Sequence, residues 1–152
     1  MMKQRHRFRL PHVGFFGVVL IVGACSGITD PPEIVTVEST LEVADGASES
    51  ITGSVAMVIG ERQTQIGIGV EGGTEDAVLG WVVRNGSCST TGERLGPASA
   101  FPSIEIDTNG AGDAQTVLFR RISPAGPYAA EVSANPDGTG SIHACADLVP
   151  GS

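Results

Sequence analysis

The feature that most restricts the fold is a series of short, β-branched runs separated by turn-forming residues, beginning near residue 33. Clusters of Gly, Asn, Asp and Pro recur roughly every 8 to 15 residues, a spacing typical of all-β sandwiches and barrels. No segment after residue 33 has the 3.6-residue periodicity of a helix. We predict strands in the runs IVTVEST (34–40), SITGSVAMVI (50–59), TQIGIGVEG (64–72), AVLGWVVR (77–84), SIEIDT (103–108), QTVLFRR (115–121), YAAEVSA (128–134) and SIHACAD (141–147).

Alternation within these runs indicates which side chains face the core. It is clearest at Ile66, Ile68 and Val70, which are separated by Gln65 and two glycines. Ile104 and Ile106 alternate with acids in the same way. Aromatic residues are few, and we expect them to anchor the core: Trp81, Phe101, Phe119 and Tyr128.

The N-terminal segment has the composition of an export signal. Its first ten residues carry four cations and no acid, and the apolar run 13–24 follows. That run is too short for a transmembrane helix of about 20 residues but fits the apolar region of a secretory signal. It ends in Val22-Gly23-Ala24-Cys25, which resembles the bacterial lipobox, where the peptidase cuts before a cysteine that carries lipid.

The lipobox resemblance implies a lipoprotein signal peptide at 1–24 and lipidation of Cys25, with two or three acyl chains as a durable membrane anchor. An ordinary signal peptide cut nearby is the alternative. Ser26, and not Asp, follows the cysteine, and this favours sorting of the exported lipoprotein to the outer membrane. We expect a flexible tether at 25–33, which is rich in Gly, Asp and Pro, and a β-sandwich domain at 34–152.

The charge of the segment that follows residue 24 limits its partners. This segment holds all 17 acidic residues and no lysine. Its basic residues are Arg62, Arg84, Arg94, Arg120 and Arg121. Nucleic acids and anionic lipids are bound through clustered cations, so the composition argues against both as partners.

Two cysteines, Cys88 and Cys145, are left once Cys25 is assigned to lipidation. In an exported protein the simplest expectation is that they form a disulfide. The alternative, a metal site built on the two cysteines, lacks further ligands close to either of them in the sequence.

The segments WVVRNGSC (81–88), FPSIEIDTNGAGDAQT (101–116), YAAEVSANPD (128–137) and GSIHACADL (140–148) resemble the copper/zinc superoxide dismutase-like family. The resemblance covers about residues 51–148. It implies an immunoglobulin-like, Greek-key β-sandwich with one disulfide, between Cys88 and Cys145. It also implies that three family positions for metal-ligating histidines are held by Val82, Arg84 and Ser133.

Neither a valine nor a permanently charged arginine coordinates copper, so we expect no metal and no other cofactor. The family's substrate-guiding arginine is replaced by Ile142. His143 is the only histidine after residue 24, and we expect it at the surface of a strand.

Two further groups of polar residues each have a structural and a functional interpretation. Asp107, Asn109 and Asp113 have the spacing of calcium ligands, but an Asn-Gly hairpin turn explains them better. Glu75 and Asp76 form a pair of neighbouring carboxylates, which we interpret as a solvated turn.

We therefore expect a lipid-anchored, non-catalytic β-sandwich of the cell envelope that acts as a binding or structural module. Its partners would be the membrane, through the N-terminal lipid, and an envelope protein or glycan, with no nucleic acid. The alternative is a degenerate superoxide dismutase-like protein with residual metal binding. At the former metal position, Arg84 is a candidate to hold a carboxylate or a sugar.

Overall fold

The structure, a computed structural model, describes residues 33–150. The regular elements in this range are nine strands and a single-turn 3₁₀ helix at Ala98–Ala100. The strands are β1 (Val35–Val43), β2 (Thr52–Ile59), β3 (Thr64–Glu71), β4 (Val78–Ser87), β5 (Thr90–Arg94), β6 (Ile104–Glu105), β7 (Gly112–Leu118), β8 (Tyr128–Ser133) and β9 (Ile142–Leu148). The all-β prediction is confirmed.

The strands form a curled antiparallel sheet in the order β5-β4-β8-β9-β1-β2-β3-β7, with β6 paired to β4. The sheet has two halves, β5-β4-β8-β9 and β1-β2-β3-β7, and strand β1 pairs with strands of both. Its residues Val35–Leu41 pair with β2, whereas Glu42 and Val43 pair with β9. Because β1 passes from one half to the other, the two halves fold over a shared core, as in a Greek-key β-sandwich.

The core contains the inward-facing residues of both halves, as the alternation in the sequence predicts. Ile66, Ile68 and Val70 of β3 are all buried. The Trp81 ring packs edge-on against Phe101, with 5.1 Å between ring centroids, and its Nε1 donates a hydrogen bond to the Pro102 carbonyl at 2.7 Å. Tyr128 is buried as well, so three of the four expected aromatic anchors are confirmed.

The fourth expected anchor, Phe119, is wrong: its side chain is 88% exposed. Strand β7 buries Thr116 and Leu118, and alternation therefore turns Val117 and the residue after Leu118 outward. Phe119 was expected in the core because of its hydrophobicity alone. The register of β7 turns its side chain to the solvent instead.

Cys88 and Cys145 form the expected disulfide, with 5.9 Å between their Cα atoms. The bond ties the β4–β5 turn to the middle of β9. Beside it, the backbone N–H of Cys88 donates to Asp147 Oδ1 at 2.7 Å. The turn is thus fixed to β9 by both a covalent and a hydrogen bond.

The described part of the chain, residues 33–150, contains no helix with the length and apolarity needed to cross a bilayer.

Candidate functional site

The three positions that the resemblance assigns to lost metal ligands lie on one face of two neighbouring strands. In the β4–β8 ladder, Val82 is opposite Glu131 and Gly80 is opposite Ser133. Since side chains alternate along a strand, Val82 and Arg84 point away from the Trp81 side of β4. We call the set Val82, Arg84, Glu131 and Ser133 the β4/β8 outer face.

An ion pair occupies part of this face. Arg84 Nε donates to Glu131 Oε2 at 2.8 Å across the β4–β8 ladder. Glu131 is only 7% exposed, so its carboxylate has lost most of its water and depends on the guanidinium for compensation. Arg84 does hold a carboxylate, and that carboxylate belongs to the protein itself.

Glu131 was not among the residues expected at a site from the sequence. The signal was present, because this acid stands in the middle of the small, apolar run YAAEVS. An acid inside a fully buried strand requires a partner. The sequence could not supply the identity of that partner, which lies 47 residues away.

A loop at 134–141 covers the remainder of the β4/β8 outer face. A Cβ placed on Gly138 would lie 2.5 Å from Val82 Cγ1, and one placed on Gly80 would lie 2.0 Å from the Asn135 carbonyl oxygen. The loop backbone therefore rests directly on β4. Val82 is consequently sealed beneath it and almost fully buried.

Hydrogen bonds within the same loop hold its shape. Asn135 N donates to the Thr139 carbonyl at 3.1 Å, and Gly138 N donates to the Asn135 carbonyl at 3.0 Å. The Asp137 carboxylate accepts from Thr139 Oγ1 at 2.6 Å and from Thr139 N at 3.0 Å. These two bonds, the hydroxyl one first, hold the pKa of Asp137 below its ordinary value.

His143 contradicts the expectation of a surface position, because it is only 4% exposed. The β8–β9 ladder shifts register here: Val132 pairs with Ala144, and Ser133 then pairs with Ile142. His143 is the extra residue of this bulge, and bulges redirect side chains. Its Nδ1 is buried and has no hydrogen-bond partner among the described residues.

A groove of about 570 Å³ runs beside the disulfide, between β1 and β9. Its charged lining consists of carboxylates: Glu42, Asp45, Glu131 and Asp147. Glu131 therefore contributes to this groove as well as to the ion pair with Arg84. Within residues 33–150, no group of three or more His, Cys, Asp and Glu side chains is arranged to hold a metal ion.

The Asp107–Asp113 segment forms a turn, and its first carboxylate organises it. Asp107 Oδ1 accepts from Ala111 N at 3.0 Å and from Asn109 N at 2.8 Å. These bonds, that from Ala111 first, lower the pKa of Asp107. Asp113 stands in β7, opposite Gly69. The strands on either side of the turn, β6 and β7, pair with β4 and β3 and not with each other, so the expected turn is present but it does not close a hairpin.

The neighbouring carboxylates Glu75 and Asp76 are both exposed in the β3–β4 connection, as a solvated turn requires. The predicted lipidation residue Cys25, the signal peptide at 1–24 and most of the tether lie outside the described residues. No protein-family model and no curated protein matches this chain.

Proposed function

We propose that this protein is a non-catalytic β-sandwich of the bacterial cell envelope, attached to the membrane by a lipid on Cys25. It would act as a binding or structural module for an envelope protein or glycan, with its loops as the variable contact surface. Nucleic acid and cofactors have no part in this proposal.

The observation that carries the non-catalytic assignment is the Arg84–Glu131 ion pair. Arginine keeps its charge and its protons at physiological pH, so it has no lone pair for a metal. Here its charge is already compensated by a carboxylate at 2.8 Å. Where the resemblance places metal-binding imidazoles, the chain has a closed ion pair and a valine covered by the 134–141 loop.

Lipid attachment is supported by the order of the N-terminal features: four cations, an apolar run, and small residues directly before Cys25. A lipid anchor leaves the domain in water beside the membrane. The excess of acids after residue 24 suits a water-exposed domain of this kind.

The first test is the mass of the mature N-terminus. A chain beginning at Cys25 and carrying diacylglycerol supports the proposal, and Cys25→Ser should abolish both the modification and membrane retention. A full-length chain found unmodified, or cut at another residue, would refute the anchor.

The second test is metal content after exposure of the oxidised protein to copper and zinc, together with superoxide consumption. We expect neither bound metal nor activity above that of buffer. One observation favours the alternative of residual metal binding: the buried, unpartnered Nδ1 of His143. About one tightly held metal per chain, lost in His143→Gln, would establish that alternative.

A further inference from the structure

One end of the β1-β2-β3-β7 half of the sheet brings together residues that are distant in sequence. Its terminal cross-strand row contains Val35, Ile59, Thr64 and Leu118. Beyond this row lie the start of the domain at 33–34, the 60–63 turn and the segment 119–121. We call these three segments together the Phe119 end.

One hydrogen bond ties the 119–121 segment to the first residue of β3, and one ion pair ties it to the start of the described chain. Thr64 Oγ1 donates to the Arg120 carbonyl at 3.1 Å. Arg121 Nη2 lies 3.9 Å from Glu33 Oε2, which joins the segment after β7 to the first described residue. The Phe119 end is therefore a defined surface of the fold.

Large apolar side chains are exposed on this surface. Phe119 is 88% exposed, and Val117 on the same outward side of β7 is 40% exposed. Ile34, at the start of β1, is 64% exposed. Phe119 and Val117 together form a continuous exposed apolar surface at the end of β7, and continuous patches of this kind, rather than single exposed residues, mark contact surfaces.

Cations outnumber acids at the same place, although Arg120 Nη2 donates to the Leu95 carbonyl at 2.9 Å and Arg121 is paired with Glu33. Of the five arginines in residues 33–150, three lie at the Phe119 end: Arg62, Arg120 and Arg121. The acids on the same three segments are Glu33 and Glu61. The opposite end of this half of the sheet instead carries acids in and after β3 and around β7: Glu71, Glu75, Asp76, Glu105, Asp107 and Asp113.

This distribution alters what the overall charge predicted. The acidic composition argues against attraction to anionic lipid for the surface as a whole. The fold, however, separates the charges: the Phe119 end carries three arginines against two glutamates, whereas the opposite end carries acids alone. Such a combination of apolar and cationic side chains is typical of surfaces that lie at the headgroup level of a bilayer.

The short segment between Cys25 and the Phe119 end indicates that the membrane is what this surface contacts. The described chain begins at Glu33, within the Phe119 end, and only seven residues, 26–32, lie between it and Cys25. Even fully extended, that tether reaches about 27 Å. A lipid on Cys25 would therefore keep the Phe119 end close to the bilayer.

We propose that the Phe119 end docks on the membrane surface, with Phe119 and Ile34 among the lipid headgroups and the arginines at anionic phosphates. This inference rests on the proposed lipid anchor at Cys25. It assigns an orientation to the domain, in which the acidic end and its loops point away from the bilayer.

The test uses the full lipidated chain in vesicles of phosphatidylethanolamine and phosphatidylglycerol that contain bromine-labelled acyl chains, which quench nearby tryptophan. The reporter variant is Phe119→Trp, and the matched control is Glu75→Trp at the opposite end. Trp81 is buried in the core and gives the same background in both. We expect the fluorescence added by Phe119→Trp to fall at least twofold and that added by Glu75→Trp to stay unchanged.

Equal quenching of the two variants, or none in either, would overturn the docked orientation. Flotation of the same vesicles distinguishes this failure from failure of the anchor. A chain that floats but is not quenched retains its anchor without docking on the bilayer. The Phe119 end would then be a contact surface for a protein. A chain that does not float at all refutes both the anchor and the docking.

The cationic part of the proposal has its own control. Arg120 is left in place because its Nη2 donates to the Leu95 carbonyl at 2.9 Å; the variant Arg62→Gln/Arg121→Gln in the Phe119→Trp background should lose most of the quenching in anionic vesicles. Undiminished quenching in this variant would refute the contact between arginine and phosphate.

Discussion

Arg84 and Glu131 are 47 residues apart in the chain, yet Nε and Oε2 are 2.8 Å apart. We expect Arg84→Ala to lower the free energy of unfolding by about 3 kcal/mol, because it leaves a buried carboxylate without a partner. The double variant Arg84→Met/Glu131→Leu should be less destabilised than this single variant, since it buries no charge. Denaturant unfolding of all variants measures both effects, and a double variant less stable than Arg84→Ala would contradict the prediction.

The Cys88–Cys145 disulfide closes a loop with a sequence separation of 57. In the chain-entropy description, a loop of this length contributes about 4 kcal/mol by restricting the unfolded state. We therefore expect Cys88→Ala/Cys145→Ala to lose roughly this amount in denaturant unfolding. Reduced wild-type protein is the matched control, and it should have the same stability as the variant.

Gly80 provides a test of the contact between β4 and the 134–141 loop. A Cβ at this position would meet the Asn135 carbonyl oxygen at 2.0 Å, so Gly80→Ala should displace the loop and lower the melting temperature by several degrees. Gly67, also within a strand, has nothing within 4 Å of an added Cβ. Gly67→Ala should leave stability unchanged or raise it slightly, and equal effects of the two substitutions would argue against a packed loop.

The two phenylalanines Phe101 and Phe119 should respond oppositely to truncation. Phe101 is 5% exposed and contacts Trp81, so Phe101→Ala should cost about 3–5 kcal/mol. Phe119→Ala should change stability by less than about 0.5 kcal/mol, because the ring is exposed. Thermal unfolding of both variants in solution tests this, and a large loss for Phe119→Ala would place that ring in a structural contact.

The Asp107 turn should weaken in acid. Hydrogen bonds from Ala111 N and Asn109 N hold the folded-state pKa of Asp107 below its ordinary value of 3.8. The ionised carboxylate therefore stabilises the turn at neutral pH, and this contribution is lost as the pH falls through the folded-state pKa. Amide resonances of Asn109 and Ala111 should report a titration below pH 3.8, and a midpoint above that value would contradict the assignment.

The strands were predictable because alternation and turn residues are local signals. Each of the eight predicted runs overlaps an observed strand. The ninth, β5 (Thr90–Arg94), was missed since its residues are polar and mostly exposed, so no apolar period marks it. An edge strand of this kind forms through backbone pairing with β4 alone.

The site was less predictable, because its contacts depend on register across distant strands. The sequence identified Arg84 as a cation at a notable position but not Glu131 as its partner. His143 was expected at the surface because regular alternation along β9 turns its side chain outward, and alternation alone does not predict a bulge. The shift between Val132 and Ser133 arises from pairing between β8 and β9, which neither segment encodes by itself.

The passage of β1 from one half of the sheet to the other has a consequence for the timing of folding. Glu42 pairs with Cys145, so the first strand of the domain cannot complete its pairing until the last strand is available. During vectorial synthesis, the edge of β1 that pairs with β9 therefore remains open until β9 has emerged, and the sheet closes late through a contact of high sequence separation. A truncation that removes β9 should leave a species prone to aggregation or proteolysis, because the end of β1 and the edge of β8 would both be unpaired.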